Sequence, residues 1–313
     1  MKWILSAVVA LTLTPPAAAS SFTSSGRGTT TADFLTLGVG ARATAMGEAY
    51  SAVVDEAGAV YWNPAALTRI PNASATFMHA AYIGSSYFDY GAFAKNLGKL
   101  GSIGAGVQYF SAGSIAATDA TGSDAGTLTP YDLALSLAYA HKLDGLGPLD
   151  GFSVGVTGKF VESKIVTSAR TFAADAGILS PPFFNERLRL ALTAVNLGGT
   201  MKFDQATEQL PVIVRFGSSF KITPAWLASV DASAPRNDHP YVGLGTEYWL
   251  VNGKDWGFSG RAGFNSETIG SIDGFSGIAV GFGLRLRGLA MDYGFVPYGG
   301  IGQAHRISIT YNF

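Results

Sequence analysis

The last nine residues of the chain, His305 to Phe313, read HRISITYNF, and this stretch decides the fold class. Apolar and polar side chains alternate along it. Because successive side chains of a β-strand point to opposite faces of a sheet, the spacing predicts a terminal strand with one apolar and one polar face. The apolar face comprises Ile307, Ile309, Tyr311 and Phe313, and the polar face comprises Arg306, Ser308, Thr310 and Asn312.

The same alternation recurs upstream in segments of roughly nine to eleven residues, each bounded by Gly, Pro, Asn, Asp or Ser. Fourteen such segments are predicted as strands, at 73–83, 86–96, 100–112, 131–142, 152–164, 171–179, 187–197, 211–222, 225–234, 240–250, 256–265, 275–286, 288–296 and 304–313. An even number of strands is required of a single-chain bacterial membrane barrel.

The composition is unusual for a soluble secreted domain. Hydrophobic residues make up 48% of the chain and charged residues only 14%, with 40 glycines and 12% aromatics. Beyond the N-terminus, no apolar run approaches the roughly eighteen residues of a transmembrane helix. We therefore predict an all-β membrane protein: a transmembrane antiparallel β-barrel of about 14 strands whose apolar faces meet lipid. The alternative, a soluble secreted β-protein, would have to bury those faces.

Charged side chains recur on the face that would line the barrel interior. The predicted lumen-facing charges are Lys159, Arg187, Arg189, Arg215, Lys221, Glu247, Arg261, Arg285, Asp292 and Arg306. Charges inside a barrel usually pair with each other or with a plug, so a structural ionic network is favoured over a substrate path. The basic excess of the set predicts acidic partners in the plug.

The connections between the predicted strands alternate in length. Long ones at 113–130, 197–210 and 265–274 fall on one side, and short ones at 96–99, 223–224 and 287–288 fall on the other. Membrane barrels have long extracellular loops and short periplasmic turns, so this pattern predicts the orientation. The short outer connection at 83–85 is an exception.

The N-terminus has the pattern of a signal peptide. Met1 and Lys2 give a positive start, residues 3–14 are an apolar run too short to span a bilayer, and small residues follow two prolines. We expect residues 1–19 to be removed after export. With no cysteine in the chain, neither a disulfide framework nor a lipidated cysteine is available.

Residues 20–72 differ from the barrel segments at 73–313. The stretch 40–54 is alanine-rich with helical spacing, and Pro64 stands where a second short helix could begin. A segment of this size cannot bury a core alone and needs a surface to pack on. We expect it to form a small N-terminal helical hatch, a plug in the barrel lumen.

The hatch region also carries a recognisable signature. Residues 38–49 read GVGARATAMGEA, Asp55 follows, and residues 61–67 read YWNPAAL. This closely resembles the N-terminal signature of the PorV/PorQ family. Further similarities lie at 194–199 (AVNLGG), 245–249 (GTEYW), 291–293 (MDY) and the C-terminal strand. The resemblance implies a FadL-like outer-membrane barrel of fourteen strands with an Asn-Pro-Ala hatch motif.

The resemblance supplies candidate site residues in the hatch. These are Arg42, Met46, Gly47, Glu48, Asp55, Trp62, Asn63 and Pro64. Two hypotheses remain open for the polar ones. Their side chains either gate a path through the lumen, or they cap short helices and satisfy backbone groups inside a fixed plug.

Two functions follow from the family. PorV-like members act with the type IX secretion system and handle exported proteins, whereas FadL-like relatives pass hydrophobic small molecules. The short outer loops depart from typical FadL. The leading hypothesis is therefore a non-enzymatic outer-membrane protein that docks exported proteins, with secretion-system components as partners. The alternative is a hatch-gated channel for a hydrophobic small molecule.

Other partners are membrane lipid and the barrel assembly machinery, because Ile309, Tyr311 and Phe313 resemble the C-terminal signal by which outer-membrane barrels are recognised. Enzyme chemistry, metals and cofactors are not predicted. The four histidines form no metal-spaced pair, and no nucleophile elbow or phosphate-binding loop is present. A net charge of -1 with dispersed lysines and arginines excludes nucleic acid as a partner.

Overall fold

The computed structural model describes residues 29–203, 206–269, 272–274 and 276–313. The predicted signal peptide at 1–19 and the start of the hatch at 20–28 lie outside them. Within the described residues, fourteen strands form one closed antiparallel barrel. They are β1 (Ala73–Ala81), β2 (Tyr87–Asn96), β3 (Ser102–Ser111), β6 (Tyr131–Lys142), β7 (Ser153–Lys164), β8 (Ser168–Leu179), β9 (Leu188–Gly198), β12 (Ile213–Thr223), β13 (Trp226–Pro235), β14 (Tyr241–Asn252), β15 (Trp256–Asn265), β16 (Ile278–Leu286), β17 (Leu289–Pro297) and β18 (Gln303–Asn312).

Two small hairpins and a few short helices complete the described structure. The hairpins are β4 (Ile115–Thr118) with β5 (Asp124–Leu128), and β10 (Thr200–Phe203) with β11 (Ala206–Gln209). The α-helices are α1 (Ala41–Ala45) and α2 (Ala59–Trp62), and 3-10 helices lie at Asp33–Thr36, Pro64–Arg69, Gly98–Leu100, Gly147–Leu149 and Gly299–Ile301. No helix in this part of the chain is long and apolar enough to cross a membrane.

The barrel closes where the terminal strand meets the first one. Strand β18 pairs antiparallel with β1, with Ile309 opposite Phe77, and the amide of Phe313 donates to the carbonyl of Ala73 at 3.0 Å. Closure leaves no unpaired sheet edge, which a bilayer would not tolerate. The β-barrel predicted from the sequence is therefore confirmed, with strand boundaries shifted by a few residues.

Two features differ from the expectation. The outer connections at 113–130 and 197–210 are not plain loops, because each contains a hairpin. The helical pattern over 40–54 gives only the five residues of α1, because Gly47 and Glu48 adopt positive φ angles of 61° and 63° and end the helix. A short helix begins at Pro64 as expected, with Asn63 as its N-cap, but it is a 3-10 helix and the unexpected α2 precedes it.

The two faces of the barrel have opposite chemistry. Apolar side chains such as Phe77, Leu137, Phe172 and Ile309 point outward and are exposed, as lipid-facing residues must be. Charged side chains point inward. Since β1 begins and β18 ends at the same rim of an even-stranded barrel, the orientation predicted from the connection lengths puts this rim on the periplasmic side.

The N-terminal segment from residue 29 to 72 fills much of the lumen. Its apolar side chains, among them Met46, Trp62 and Leu67, are fully buried against the barrel wall. At the outer end, Thr31 donates its amide to the Gln209 carbonyl of the β10–β11 hairpin at 3.1 Å. The segment is thus a plug that is held from the outer side by an extracellular hairpin.

A charge placed on the lipid face should destabilise the barrel. Leu137, near the middle of β6, is 73% exposed, and Leu137→Arg should lower the free energy of unfolding in lipid vesicles by about 2–4 kcal/mol. The control Leu146→Arg alters a leucine that is 55% exposed but lies in a periplasmic turn, and it should change stability by at most about 1 kcal/mol. Equal effects of the two variants would contradict the lipid-facing assignment.

Candidate functional site

The hatch is joined to the barrel wall by an ionic network centred on Arg42, in which the wall residues are buried and Asp55 is the most exposed member. Arg42 follows the first residue of α1, and its Nε and Nη2 donate to the two carboxylate oxygens of Glu247 on β14 at 2.8 and 2.9 Å. Its Nη1 donates to Asp55 at 2.9 Å. A two-pronged contact of this kind fixes both distance and orientation, so it positions the hatch as well as attracting it.

The network continues along the wall. Arg261 on β15 donates Nε to Glu247 and Nη1 to Asp292 on β17, both at 2.7 Å, and all three side chains are buried. Asp55 also lies 3.7 Å from Arg69 of the hatch. Three carboxylates and three guanidinium groups therefore alternate in one chain, which offsets the large desolvation cost of each charge.

A second buried cluster lies on the opposite wall. Lys159 on β7 pairs with Asp175 on β8 at 2.7 Å and donates to the amide oxygen of Asn196 at 2.9 Å. The backbone of Asn196, with a φ of 59°, donates to the second oxygen of Asp175. The Lys159 ammonium also lies 6.0 Å from the ring centre of Tyr61 in the hatch.

Three further inward cations lie over aromatic rings. The guanidinium of Arg215 lies 5.1 Å from the ring centre of Trp62, a hatch residue, and that of Arg285 lies 4.5 Å from Trp249. Arg306 lies 5.8 Å from the ring of Tyr82. The face of an aromatic ring attracts a cation, most strongly where water is excluded.

An acidic hatch residue also faces Arg306. The carboxylate of Glu48 is 3.8 Å from its guanidinium. Among the lumen-facing charges, acidic partners from the hatch are therefore Glu48 and Asp55, while Glu247, Asp292 and Asp175 come from the wall itself.

The Asn-Pro turn of the hatch sits on a glycine floor. The Asn63 side-chain oxygen accepts from the amide of Ala65 at 3.1 Å, and its amide donates to the carbonyl of Ser51 at 3.1 Å. A Cβ atom on Gly155 or Gly177 of the wall would overlap with Pro64 or Asn63. These wall positions need glycine because the hatch backbone approaches the sheet directly.

The Met46–Gly47–Glu48 turn touches the wall in the same way. A Cβ on Gly47 would overlap with backbone atoms of Phe264 and Leu244, and one on Gly263 would overlap with Gly47. Met46 itself has no exposed surface. The predicted hatch residues thus contact the barrel at two glycine-lined places and through one ionic network.

The acidic groups of the hatch have shifted proton affinities. Burial raises the pKa of Glu56 to about 7, although the amide of Gly58 opposes the rise. Burial also raises the pKa of Glu48, against the opposing effect of Arg306. At Asp55, burial is outweighed by the neighbouring Arg42 and Arg69, which lower the pKa. The ion pairs of Asp55 thus favour the charged form of its carboxylate.

A cavity of about 840 Å³ lies between the hatch and the periplasmic rim. We call it the vestibule. The hatch contributes Arg42, Asp55, Glu56 and Arg69 to its lining. The wall contributes Glu247, Arg261, Asp292, Arg285, Arg187, Arg189 and Lys221, and the periplasmic turns contribute Pro181, Pro182 and Pro224. Its lining is thus rich in charged groups.

The outer end of the lumen is filled in a different way. Tyr82 donates its hydroxyl hydrogen to the Tyr298 hydroxyl oxygen at 3.2 Å and packs edge-on against Phe110. Met201 and Leu210, which flank or belong to the β10–β11 hairpin, are buried. The described part of the outer end is thus packed with aromatic and apolar side chains, whereas the vestibule lies at the opposite rim.

Comparison with known protein families agrees with this architecture. A family model described as "Type IX secretion system protein PorV" matches residues 23–224, which include the hatch and the first half of the barrel. The chain belongs to the PorV family. No curated protein sequence matches it significantly. Membership of this family agrees with the sequence signature at 38–67, whose residues hold the hatch against the barrel wall.

Solved structures of FadL-like channels share the PorV-family fold seen here. The toluene transporter TodX of Pseudomonas putida has a TM-score of 0.58 at 11% identity, with 88% of this chain and 98% of TodX covered. The toluene transporter TbuX of Ralstonia pickettii has 0.57 at 12%, with 88% and 98% covered. A Pseudomonas aeruginosa FadL homologue has 0.52 at 12%, with 87% and 97% covered. Likeness at such low identity shows the fold alone.

Two wall residues that bind the hatch, Asp231 and Ser219, were not among the predicted site residues. Asp231 on β13 accepts hydrogen bonds from the amides of Tyr50 and Ser51 in the hatch, and the Ser219 hydroxyl donates to the carbonyl of Ala52 at 3.0 Å. Their inward position follows from the alternation, but their partners depend on how the hatch is seated. Within the described residues, no group of three His, Asp or Glu side chains is placed to hold a metal ion.

Removing the central cation of the network should loosen the hatch. Arg42→Gln leaves Glu247 with one partner fewer, and the free energy of hatch opening should fall by about 3 kcal/mol, as for other broken buried pairs. Hydrogen exchange of hatch amides, followed by mass spectrometry, should then accelerate about a hundredfold.

The matched control is Arg170→Gln, because Arg170 pairs with Glu162 at 2.6 Å but is 63% exposed on the outer surface. A surface ion pair contributes about 0–1 kcal/mol, so hatch exchange should stay unchanged. Unchanged exchange in the Arg42 variant as well would contradict the docking role of the network.

The glycine floor gives a second test of hatch seating. Gly177→Ala should push Asn63 from its place and lower stability by about 1–3 kcal/mol, as overpacking does. Gly158→Ala is the control, because a Cβ there meets nothing within 4 Å, and it should change stability by less than about 0.5 kcal/mol. Urea unfolding in vesicles measures both, and equal stabilities would refute the close approach.

Proposed function

We propose that this PorV-family barrel is a non-enzymatic outer-membrane protein that docks exported proteins for a type IX-like secretion system. The observation that carries the proposal is the family match over residues 23–224. The lumen geometry supports it, because the vestibule faces the periplasm, where exported proteins arrive, and the described part of the outer end is packed with aromatic and apolar side chains. The spacing of the four histidines in the sequence matches no catalytic motif.

In this proposal the chain has three functional parts. Residues 1–19 direct export, residues 20–72 form a hatch that closes the lumen against leakage, and residues 73–313 form the barrel. The ionic network and the glycine floor hold the hatch in its closed position. The exposed Ile309 and Tyr311 of β18, with the terminal Phe313, act as the signal for the barrel assembly machinery.

The second candidate function is a channel for hydrophobic small molecules. It is favoured by the shared fold with proteins titled toluene transporters. A site for such a molecule would need a mostly apolar lining. The vestibule lining combines apolar surface with many ionisable groups, and the apolar side chains of the hatch pack directly against the wall. These contacts favour the protein-docking function.

The two functions can be separated by experiment. Affinity purification of the tagged protein from native membranes under mild detergent should recover exported proteins and other outer-membrane components, and deletion of the gene should deplete proteins from the culture supernatant. A purified barrel in liposomes should not speed the entry of radiolabelled toluene or oleate. Uptake of either compound, together with an unchanged set of secreted proteins, would favour the channel.

A further inference from the structure

The periplasmic turn between β8 and β9 has an unusual backbone. Phe184, Asn185 and Glu186 adopt consecutive positive φ angles of 51°, 58° and 64°. Two amides, those of Arg187 and Leu188, hold the turn closed by donating to the Phe183 carbonyl at 3.0 and 3.1 Å. A positive φ is an outlier for a bulky residue such as Phe184, and backbone strain of this kind concentrates at ligand clamps.

This strained turn presents an aromatic side chain to the solvent. Phe184 is 73% exposed at the periplasmic rim, whereas its neighbour Phe183 packs edge-on against Phe152. The Phe183 ring is therefore packed against the barrel, while the Phe184 ring is available for contact with a ligand.

Three cations stand next to this turn on the vestibule wall. Arg187, Arg189 and Lys221 all line the cavity. The amide of Lys221 donates to the Arg187 carbonyl at 2.9 Å, so these two residues lie opposite each other on neighbouring strands. Arg189 lies opposite Ser219, two residues further along the strand into the lumen. Like charges that face each other across strands are destabilising.

These three cations differ from the lumen-facing ones that are held in ion pairs or against aromatic rings. Arg42, Arg261 and Lys159 each have a carboxylate within 3 Å. None of the ion pairs of the described residues includes Arg187, Arg189 or Lys221. The carboxylates that act on Arg189 are those of Asp55 and Glu186, both of which line the vestibule without pairing with it. The hatch adds a fourth positive group, Arg69, which is held by the carbonyls of Val53 and Val54 at 2.6 and 2.7 Å.

We infer that the basic wall of the vestibule, Arg187, Arg189 and Lys221, together with Phe184, binds an acidic segment of an exported polypeptide. The inference rests on the proposed docking function and names the chemistry of its ligand. Arginine side chains pair with carboxylates in a two-pronged geometry, and the exposed ring offers contact to an apolar residue of the same segment. A lipid headgroup is disfavoured because the cations point into the lumen and away from the bilayer.

The test uses the full-length protein in nanodiscs and a fluorescent peptide that contains several glutamates and two leucines. Binding is measured by fluorescence anisotropy at low and moderate salt. The wild-type protein should bind the peptide, and affinity should fall as salt screens the charges. A peptide with glutamine at every glutamate position should bind at least tenfold more weakly, as expected when hydrogen bonds between charged groups are lost.

Protein variants locate the site. The triple variant Arg187→Gln, Arg189→Gln, Lys221→Gln and the single variant Phe184→Ser should each weaken binding at least tenfold. The control Lys254→Gln, Arg287→Gln removes two cations from the periplasmic turns on the other side of the barrel and should leave affinity unchanged. A shift on boiling in gel electrophoresis shows that each variant is folded.

Three results would overturn the inference. These are equal binding of the glutamate and glutamine peptides, undiminished binding by the folded triple variant, and displacement of the peptide by inorganic phosphate at equal concentration, which would indicate a small-anion site. The docking function has a separate readout, because loss of secreted proteins on gene deletion does not depend on this peptide. Normal peptide binding by the triple variant alongside lost secretion on deletion would refute only the site.

Discussion

Charge buried in the lumen is the constraint on which the rest of this structure depends. A barrel whose apolar faces meet lipid must turn its polar faces inward, and the inward face here carries arginines, lysines and carboxylates. A buried charge is tolerated only with a partner. The hatch supplies such partners: Asp55 and Glu48 contact Arg42 and Arg306, and Trp62 covers Arg215. The plug and the charged wall therefore stabilise each other.

The hatch signature can be understood as a set of docking contacts. Arg42 forms the ionic link to Glu247, Gly47 allows the backbone to touch the sheet, and Asn63 caps the turn that rests on the glycine floor. None of these contacts resembles a catalytic arrangement. They explain why a short segment with little helix of its own can adopt a fixed structure, since the wall provides most of its packing surface.

Much of this fold could be predicted from the sequence because strict alternation specifies strand, face and approximate length at once. The inward position of charges such as Arg261 and Asp292 follows directly from it. Their mutual pairing does not, because it depends on which strands are neighbours after closure. The strands of the hairpins in the outer connections are only four or five residues long, too short for the pattern to separate them from loop. The helix over 40–54 is shorter than its spacing suggested because Gly47 turns the chain toward the wall.

The two halves of the vestibule differ in a way that bears on function. One wall, formed by β14, β15 and β17, has its charges saturated by ion pairs and holds the hatch. The other, formed by the β8–β9 turn, β9 and β12, keeps cations that take part in none of the ion pairs of the described residues. The first wall is suited to structural stability and the second to recognition. This division lets a fixed plug coexist with a binding surface on the periplasmic side.

Hatch seating inside the lumen is tested most directly by a distance measurement in native membranes. Because the chain has no cysteine, the double variant Thr36→Cys, Lys254→Cys can carry one spin label in the hatch and one in the β14–β15 turn. Pulsed electron paramagnetic resonance on outer-membrane vesicles should give one narrow distance distribution, matching a hatch fixed against the wall. A broad distribution, or one that places Thr36 outside the barrel, would contradict the account.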